Sequence, residues 1–276
     1  MSDEPNPLGG FLRARRELVT PDDVGIPVLG TRRVAGLRRE EVAMLAGISA
    51  DYYLRLEQGR DRHPSAQVLE SIGRVLQLDD EGMAYLLGLV AEKPRRTRRV
   101  RREVVPAGTL TLVRQLPLPA FVEGRYLDVL ASNPLALALS PRLRIGGNRL
   151  RDVFLDPEER AMFPQSEQAA AGLIAGFRAS IGADTDDPRV IELVGELSVA
   201  SPLFRRLWAR HDVGPRQGAV VPFEHPQLGE LRLNREKLLI GGTDRMTLVI
   251  YHADPGSDAA EKLALLASMG AESPAR

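Results

Sequence analysis

The sequence predicts two domains, an all-α domain of five short helices followed by an α+β domain built on a five-stranded antiparallel sheet. Three observations carry that expectation. Residues 37–59 read as two short helices joined by a tight turn. A cation-rich run at residues 93–102 then interrupts the chain. Beyond it the apolar pattern departs from purely helical spacing, with alternating stretches at residues 121–131 and 220–250.

In the first of these stretches Val42, Leu45 and Ala46 fall at i, i+3 and i+4, the spacing of one buried helical face. Gly47 follows where a helix that must stop and turn needs positive φ. Ser49 stands at the N-cap of the next helix, whose inward edge is Tyr53 and Leu56. Ala50, Asp51, Tyr52 and Arg55 point elsewhere, and the small Ala43 lets the two helices approach closely. This is the layout of a helix-turn-helix, in which one helix braces across the DNA backbone and the second lies in the major groove. The same spacing also suits an ordinary helical hairpin in a bundle.

The remaining helices of this domain are expected at residues 11–18, with Arg13, Arg15 and Arg16 on the polar side, at 65–76 and at 79–90. Val68, Leu69, Ile72 and Leu76 form the inward face of the fourth helix, and Met83, Leu86, Leu87 and Val90 that of the fifth. Loops at 21–31 and 60–64 are marked by proline and glycine, and Pro94 ends the domain. The expected boundaries are 8–92 for the helical domain, 93–106 for a basic linker and 107–270 for the second domain.

The run Glu40-Glu41-Val42-Ala43-Met44-Leu45-Ala46-Gly47-Ile48-Ser49, followed by Tyr53-Leu54-Arg55-Leu56-Glu57-Gln58-Gly59-Arg60, resembles the helix-turn-helix of the xenobiotic-response-element family, whose domains are λ-repressor-like. The resemblance implies that Arg39 holds the DNA backbone and that Tyr52 touches phosphate. Ala50, Asp51 and Arg55 match positions that face the bases. With the capping Ser49 and with Arg38, the expected DNA-facing set is Arg38, Arg39, Ser49, Ala50, Asp51, Tyr52 and Arg55. The family often caps the first helix with Ser or Thr where this chain has Arg38, which implies a weaker cap and a second cation beside the phosphates.

Composition sets outer limits. A hydrophobic content of 43% is that of a folded chain, and the absence of cysteine leaves neither a disulfide framework nor a zinc finger. No apolar run approaches the roughly 20 residues of a membrane span, and no signal segment opens the chain, so a soluble cytoplasmic protein with no membrane partner is expected. The formal net charge is +0, but its distribution is uneven. Lys93, Arg95, Arg96, Arg98, Arg99, Arg101 and Arg102 follow one another with no acid between them, and Arg32, Arg33, Arg38 and Arg39 cluster beside the helix-turn-helix. Such clusters supply sequence-independent affinity for nucleic acid, although an Arg-rich linker is equally a solvated spacer.

In the second domain a hairpin is expected around Gly124, from residues 121–123 and 126–131, and Asn133-Pro134 opens a short apolar helix. Residues 149–210 are helical, with breaks at Pro157, Pro164, 182–188 and Pro202. Three strands close the domain, one at residues 220–223, one carrying Leu231 and Leu233, and one carrying Met246, Leu248 and Ile250, with a turn at Gly241-Gly242. The order resembles a PAS-like sensor domain. The segments Asn148-Arg149-Leu150-Arg151-Asp152-Val153-Phe154-Leu155-Asp156-Pro157, Ser201-Pro202-Leu203-Phe204-Arg205-Arg206-Leu207-Trp208-Ala209-Arg210-His211-Asp212-Val213 and His225-Pro226-Gln227-Leu228-Gly229 resemble the ligand-binding half of MmyB-like transcription regulators. Ser132 stands where members of that family usually carry tryptophan, which removes an aromatic wall.

That resemblance implies a DNA-binding regulator, paired as a homodimer on a double-stranded operator, whose second domain senses a hydrophobic, fatty-acid-like small molecule. Phe204, Trp208, Phe223, Leu231, Leu248 and Ile250 are the expected lining, with core as the competing role for each. Arg210 is the expected grip on a carboxylate, against an internal ion pair with Asp212 or Glu224. A ligand-free dimerisation domain is the alternative. His211-Asp212 and Glu224-His225 suggest catalysis or metal binding, but their spacing is not that of a helical metal site. No Gly-x-Ser-x-Gly elbow, cysteine nucleophile or phosphate-loop lysine is present, so no enzyme activity, cofactor or metal is expected.

Overall fold

The computed structural model describes residues 6–27, 32, 34–61, 63–91, 103–164, 166–182, 184–214 and 218–271. The first domain consists of α1 (Pro7–Leu18), α2 (Arg39–Ala46), α3 (Ala50–Glu57), α4 (Ala66–Val75) and α5 (Asp80–Val90). Each start has a local cause. Asn6 caps α1 by accepting from the Gly9 N–H at 3.0 Å, and Pro7 occupies the first turn, where its missing N–H is not needed. Ser49, Ser65 and Asp79 cap α3, α4 and α5 with their side-chain oxygens. Phe11, Leu12, Leu37, Val42, Tyr53, Leu56, Leu69, Ile72, Leu76 and Leu86 close the core at 1% exposure or less. Each such side chain contributes about 1.5–3 kcal/mol by leaving water.

Three expectations change here, the first being that Arg16, expected on the polar side of α1, is 7% exposed. Helix α1 begins at Pro7 rather than Phe11, through Gly9 and Gly10, which weaken a helix by propensity. A Cβ on Gly9 would stand 2.0 Å from the Glu57 carbonyl oxygen, so only glycine lets α1 lie against the end of α3. Leu45 is 40% exposed rather than buried, and Ala43, at 2%, takes the inward place beside Val42.

The second domain opens with α6 (Ala107–Gln115), which the sequence reading did not expect. Strands β1 (Ala120–Glu123) and β2 (Val129–Ser132) follow, then α7 (Pro134–Leu139), α8 (Arg149–Leu155), α9 (Pro157–Ala161), α10 (Ser166–Ile181), α11 (Pro188–Ala200) and α12 (Pro202–Trp208). Strands β3 (Ala219–His225), β4 (Gly229–Leu239) and β5 (Thr247–His252) complete one antiparallel sheet in the order β2-β1-β5-β4-β3, and α13 (Asp258–Ala271), also unexpected, follows. The domain is α+β and PAS-like. In the central strand β5 successive residues serve opposite faces. Val249 and Tyr251 join the large core beneath α7–α13, while Leu248 and Ile250 pack with α6.

The basic run at 93–102 lies outside the described residues, as does Arg33. No helix among the described residues is long and apolar enough to cross a membrane.

Candidate functional site

The turn between α2 and α3 sets the geometry of the first site. Gly47 adopts φ 70°, and the Ser49 hydroxyl accepts from the Tyr52 N–H at 3.1 Å, which starts α3 with Ala50 and Asp51 exposed. Arg55 forms an i, i+4 ion pair with Asp51, and its guanidinium lies 5.5 Å from the centre of the half-buried Tyr52 ring. The exposed start of α3 thus carries a pre-positioned Arg55.

Arg38 has no acceptor with which to cap α2. Glu41 supplies the other half of the capping box, its Oε2 accepting from the Arg38 N–H at 2.6 Å. Both Nη atoms of Arg32 donate to the same carboxylate at 2.8 Å. Those bonds from Arg32, opposed by burial, hold the Glu41 carboxyl at about 2. The expected weakness at Arg38 is thereby offset.

Arg39 does more than project towards solvent. Its Nε donates to Glu57 Oε2 at 2.6 Å, and Arg16 Nε donates to Oε1 at 2.7 Å. The Glu57 side chain is 0% exposed, whereas that of Arg39 is 40% exposed. Burial alone would raise the Glu57 carboxyl, but the two guanidinium bonds outweigh it and the net shift is downward. Sequence reading gave Glu57 no role, although an acid following Tyr53 and Leu56 on the inward side was the available signal.

The second site is a cavity of about 300 Å³ between α8, α10 and strands β3–β5. Its walls include the apolar Val153, Phe163, Leu173 and Val221 and the polar Arg149, Gln168, Arg235 and Tyr251. Arg149 is anchored, its Nη1 donating to Glu159 Oε1 at 2.7 Å while the Ser140 hydroxyl donates to Glu159 Oε2 at 2.7 Å. Arg235 Nε is buried without a hydrogen-bond partner among the described residues. Burial pushes the Tyr251 hydroxyl up, which keeps it a proton donor at neutral pH.

With both sites in view, comparison with known families is informative. A profile described as MmyB-like transcription regulator ligand binding domain matches residues 105–266. The chain belongs to this family. A helix-turn-helix domain profile matches residues 7–86 of the regulator, so a DNA-binding domain precedes a ligand-binding one. Both matched families are regulatory. No curated protein matches the regulator.

None of the seven residues expected to meet the ligand lines this cavity. Phe204 is fully buried, stacked on Trp208 at 5.7 Å and edge-on to Phe154 at 5.1 Å. Phe223 and Leu231 are core residues on the helix-covered face of the sheet. Leu248 and Ile250 sit on the opposite face of β5 from the lining residue Tyr251. Arg210 is exposed and its Nε pairs with Asp212 Oδ2 at 2.9 Å, which is the internal ion pair weighed against a ligand role. The polar lining of the cavity, Arg149, Arg235 and Tyr251, is brought together over long separations in sequence.

Proposed function

We propose that the regulator binds a two-fold operator as a homodimer paired through its C-terminal half, and that a fatty-acid-like effector occupies the cavity with its carboxylate at Arg235. Half-sites about one helical turn apart would receive the two α3 helices. Arg55, steadied by Asp51 and Tyr52, reads a guanine edge. Asp51 has an oxygen left for a cytosine amino group, and Ala50 can touch a thymine methyl. Arg38, Arg39 and Tyr52 hold the backbone, which positions the protein without reading sequence.

The observation that carries the effector reading is the unbonded Arg235 Nε on a cavity that also holds a fixed cation, Arg149, and a protonated phenol, Tyr251, among apolar walls. A guanidinium with a free donor in such a place suits an anionic head on an apolar body. The decisive experiment pairs two measurements on the full chain. Selection from randomised duplexes at low salt should enrich a two-fold sequence. Arg235→Met should weaken binding of a saturated fatty acid by about 10- to 100-fold, the loss of one charge-assisted hydrogen bond. Unchanged fatty-acid affinity would remove the effector reading and leave the ligand-free dimerisation domain in its place.

A further inference from the structure

The two domains meet at a small joint whose composition is unusual for a structural contact. Its centre is Arg178 on α10, only 2% exposed. No carboxylate among the described residues forms an ion pair with Arg178. The guanidinium instead lies 3.8 Å from the centre of the Trp208 ring, donates from Nη2 to the Trp208 carbonyl at 2.7 Å, and places Nη1 3.3 Å from His211 Nδ1. A buried cation held by a ring, a carbonyl and an imidazole, with Tyr85 of α5 beside it and Asp212 attracting it without contact, is sensitive to small displacements.

His211, in the turn after α12, carries the contact from this cation to the first domain. It adopts φ 54°, a left-handed conformation rare outside glycine and held there by its surroundings. The ring covers Gly10 of α1, where an added Cβ would come within 3.5 Å of Cε1, and stands edge-on to Phe11 at 6.4 Å. Burial, with Arg178 and Arg15 adding to it, lowers His211 to about 4, so the ring is neutral and accepts from Arg178 at neutral pH. Arg15 of α1 also pairs with Asp212 at 2.9 Å.

Both ends of this joint lead to a site. Helix α10 lines the cavity with Gln168, Gly172 and Leu173, and Arg178 follows Gly172 on the same helix, about 9 Å further along its axis. Helix α1 grips the last residue of α3 three times, through the close approach of Gly9, through Asn6 Nδ2 donating to the Glu57 carbonyl at 2.9 Å, and through Arg16 on the carboxylate. We propose that Arg178 and His211 are positioning residues that couple occupancy of the cavity to the placement of α3, with α10 and α1 as the rigid elements on either side. The inference rests on reading the cavity as the effector site and α3 as the recognition helix. Coupling of this kind is reciprocal, so DNA bound at α3 must be felt at the joint.

The test needs no identified ligand. Gly172 lines the cavity and has open space around the position of a Cβ, so Gly172→Phe is chosen to place a ring at its wall as a surrogate occupant. His211→Gly removes the ring while suiting the left-handed backbone. Dissociation constants for the selected duplex are measured for the four combinations of these changes in the full chain. Gly172→Phe should alter affinity by about fivefold or more when His211 is present and by less than about twofold in His211→Gly. Trp208, the chain's single tryptophan, gives a readout that requires no variant, because its emission should shift when duplex is added. Equal effects of Gly172→Phe in both backgrounds, no effect in either, or an emission blind to bound duplex would overturn the joint. Failure of the selection to enrich any duplex overturns instead the reading of α3, a result distinct from enrichment without coupling.

Discussion

The Arg16–Glu57–Arg39 network yields a prediction whose size follows from burial. Glu57→Leu removes the acceptor of both guanidinium groups. Arg16, with a side chain 8% exposed, keeps only the Leu37 carbonyl at 2.9 Å and the exposed Glu17 at 3.9 Å. A buried charge stripped of its partner costs about 3–5 kcal/mol. Arg39, already 40% exposed, turns to water at a cost below about 1 kcal/mol. Arg39→Met should therefore be mild and Glu57→Leu severe. The pair Arg16→Met with Glu57→Leu should recover most of the loss, because neither charge then remains stranded. Amide hydrogen exchange of α1–α5 in the full chain reads these free energies helix by helix. A loss below about 1 kcal/mol for Glu57→Leu, or a double variant no better than the single, would refute the reasoning. The pH dependence has a definite sign. Because the folded Glu57 pKa lies below its ordinary 4.5, the network's contribution is present above 4.5 and is lost as pH falls through the lowered value.

Other expectations follow from the same physics. Burial, with Glu159 adding to it and Arg149 opposing, raises Asp152 from 3.8 to about 6, so its folded state is most stable below 3.8 and loses stability as pH rises through 6. Asp152→Asn should stabilise the second domain by up to about 3 kcal/mol at pH 8 and by nothing near 3.8; equal unfolding midpoints at pH 8 would contradict this. Glu41 has the opposite sign, its stability present above 4.5 and lost towards 2, so Arg32→Ala should cost about 1.5–3 kcal/mol at neutral pH and little at pH 2, read by exchange in α2. On duplexes, Arg55→Ala should relax sequence preference more than it weakens general binding, whereas Arg39→Ala should weaken all sequences alike and reduce the salt slope by about 1. Equal losses on selected and random duplexes for Arg55→Ala would remove its base-reading role.

Local rules carried the first domain because its determinants are local. Caps at Ser49, Ser65 and Asp79, the left-handed Gly47 and the apolar faces of α3–α5 are all legible within a turn or two. Leu45 misled because an eight-residue helix offers too few turns to separate an inward Ala43 from an outward leucine. Helix α13 has a local signal as well: Ser257 caps it, accepting from the Ala260 N–H at 3.2 Å, ahead of an Ala- and Leu-rich run. The lining of the cavity was hidden for a different reason. In β5 the residues Leu248, Val249, Ile250 and Tyr251 are all apolar or aromatic because the central strand is covered on both faces, so alternation cannot say which pair faces the cavity. Arg149 and Arg235 converge only through tertiary structure.

Arg39 brings its structural role and the proposed DNA-binding role into one side chain, and they need not compete. A guanidinium offers five N–H donors in a rigid plane. With Nε committed to Glu57, the group is fixed in orientation and its two Nη atoms remain for a phosphate on the proposed interface. The buried carboxylate thus serves as the brace that aims the cation, and Arg16 neutralises that carboxylate from behind. Lysine has one nitrogen and cannot hold Glu57 and a phosphate in the same fixed geometry. Arg39→Lys should keep the salt slope of the parent protein, since the charge count is unchanged, while weakening every duplex by about 3- to 10-fold through the loss of that alignment. A slope reduced by about 1, as expected for Arg39→Ala, would mean that the lysine is held at Glu57 and away from the DNA. Affinity equal to the parent's would mean that Glu57 aims nothing.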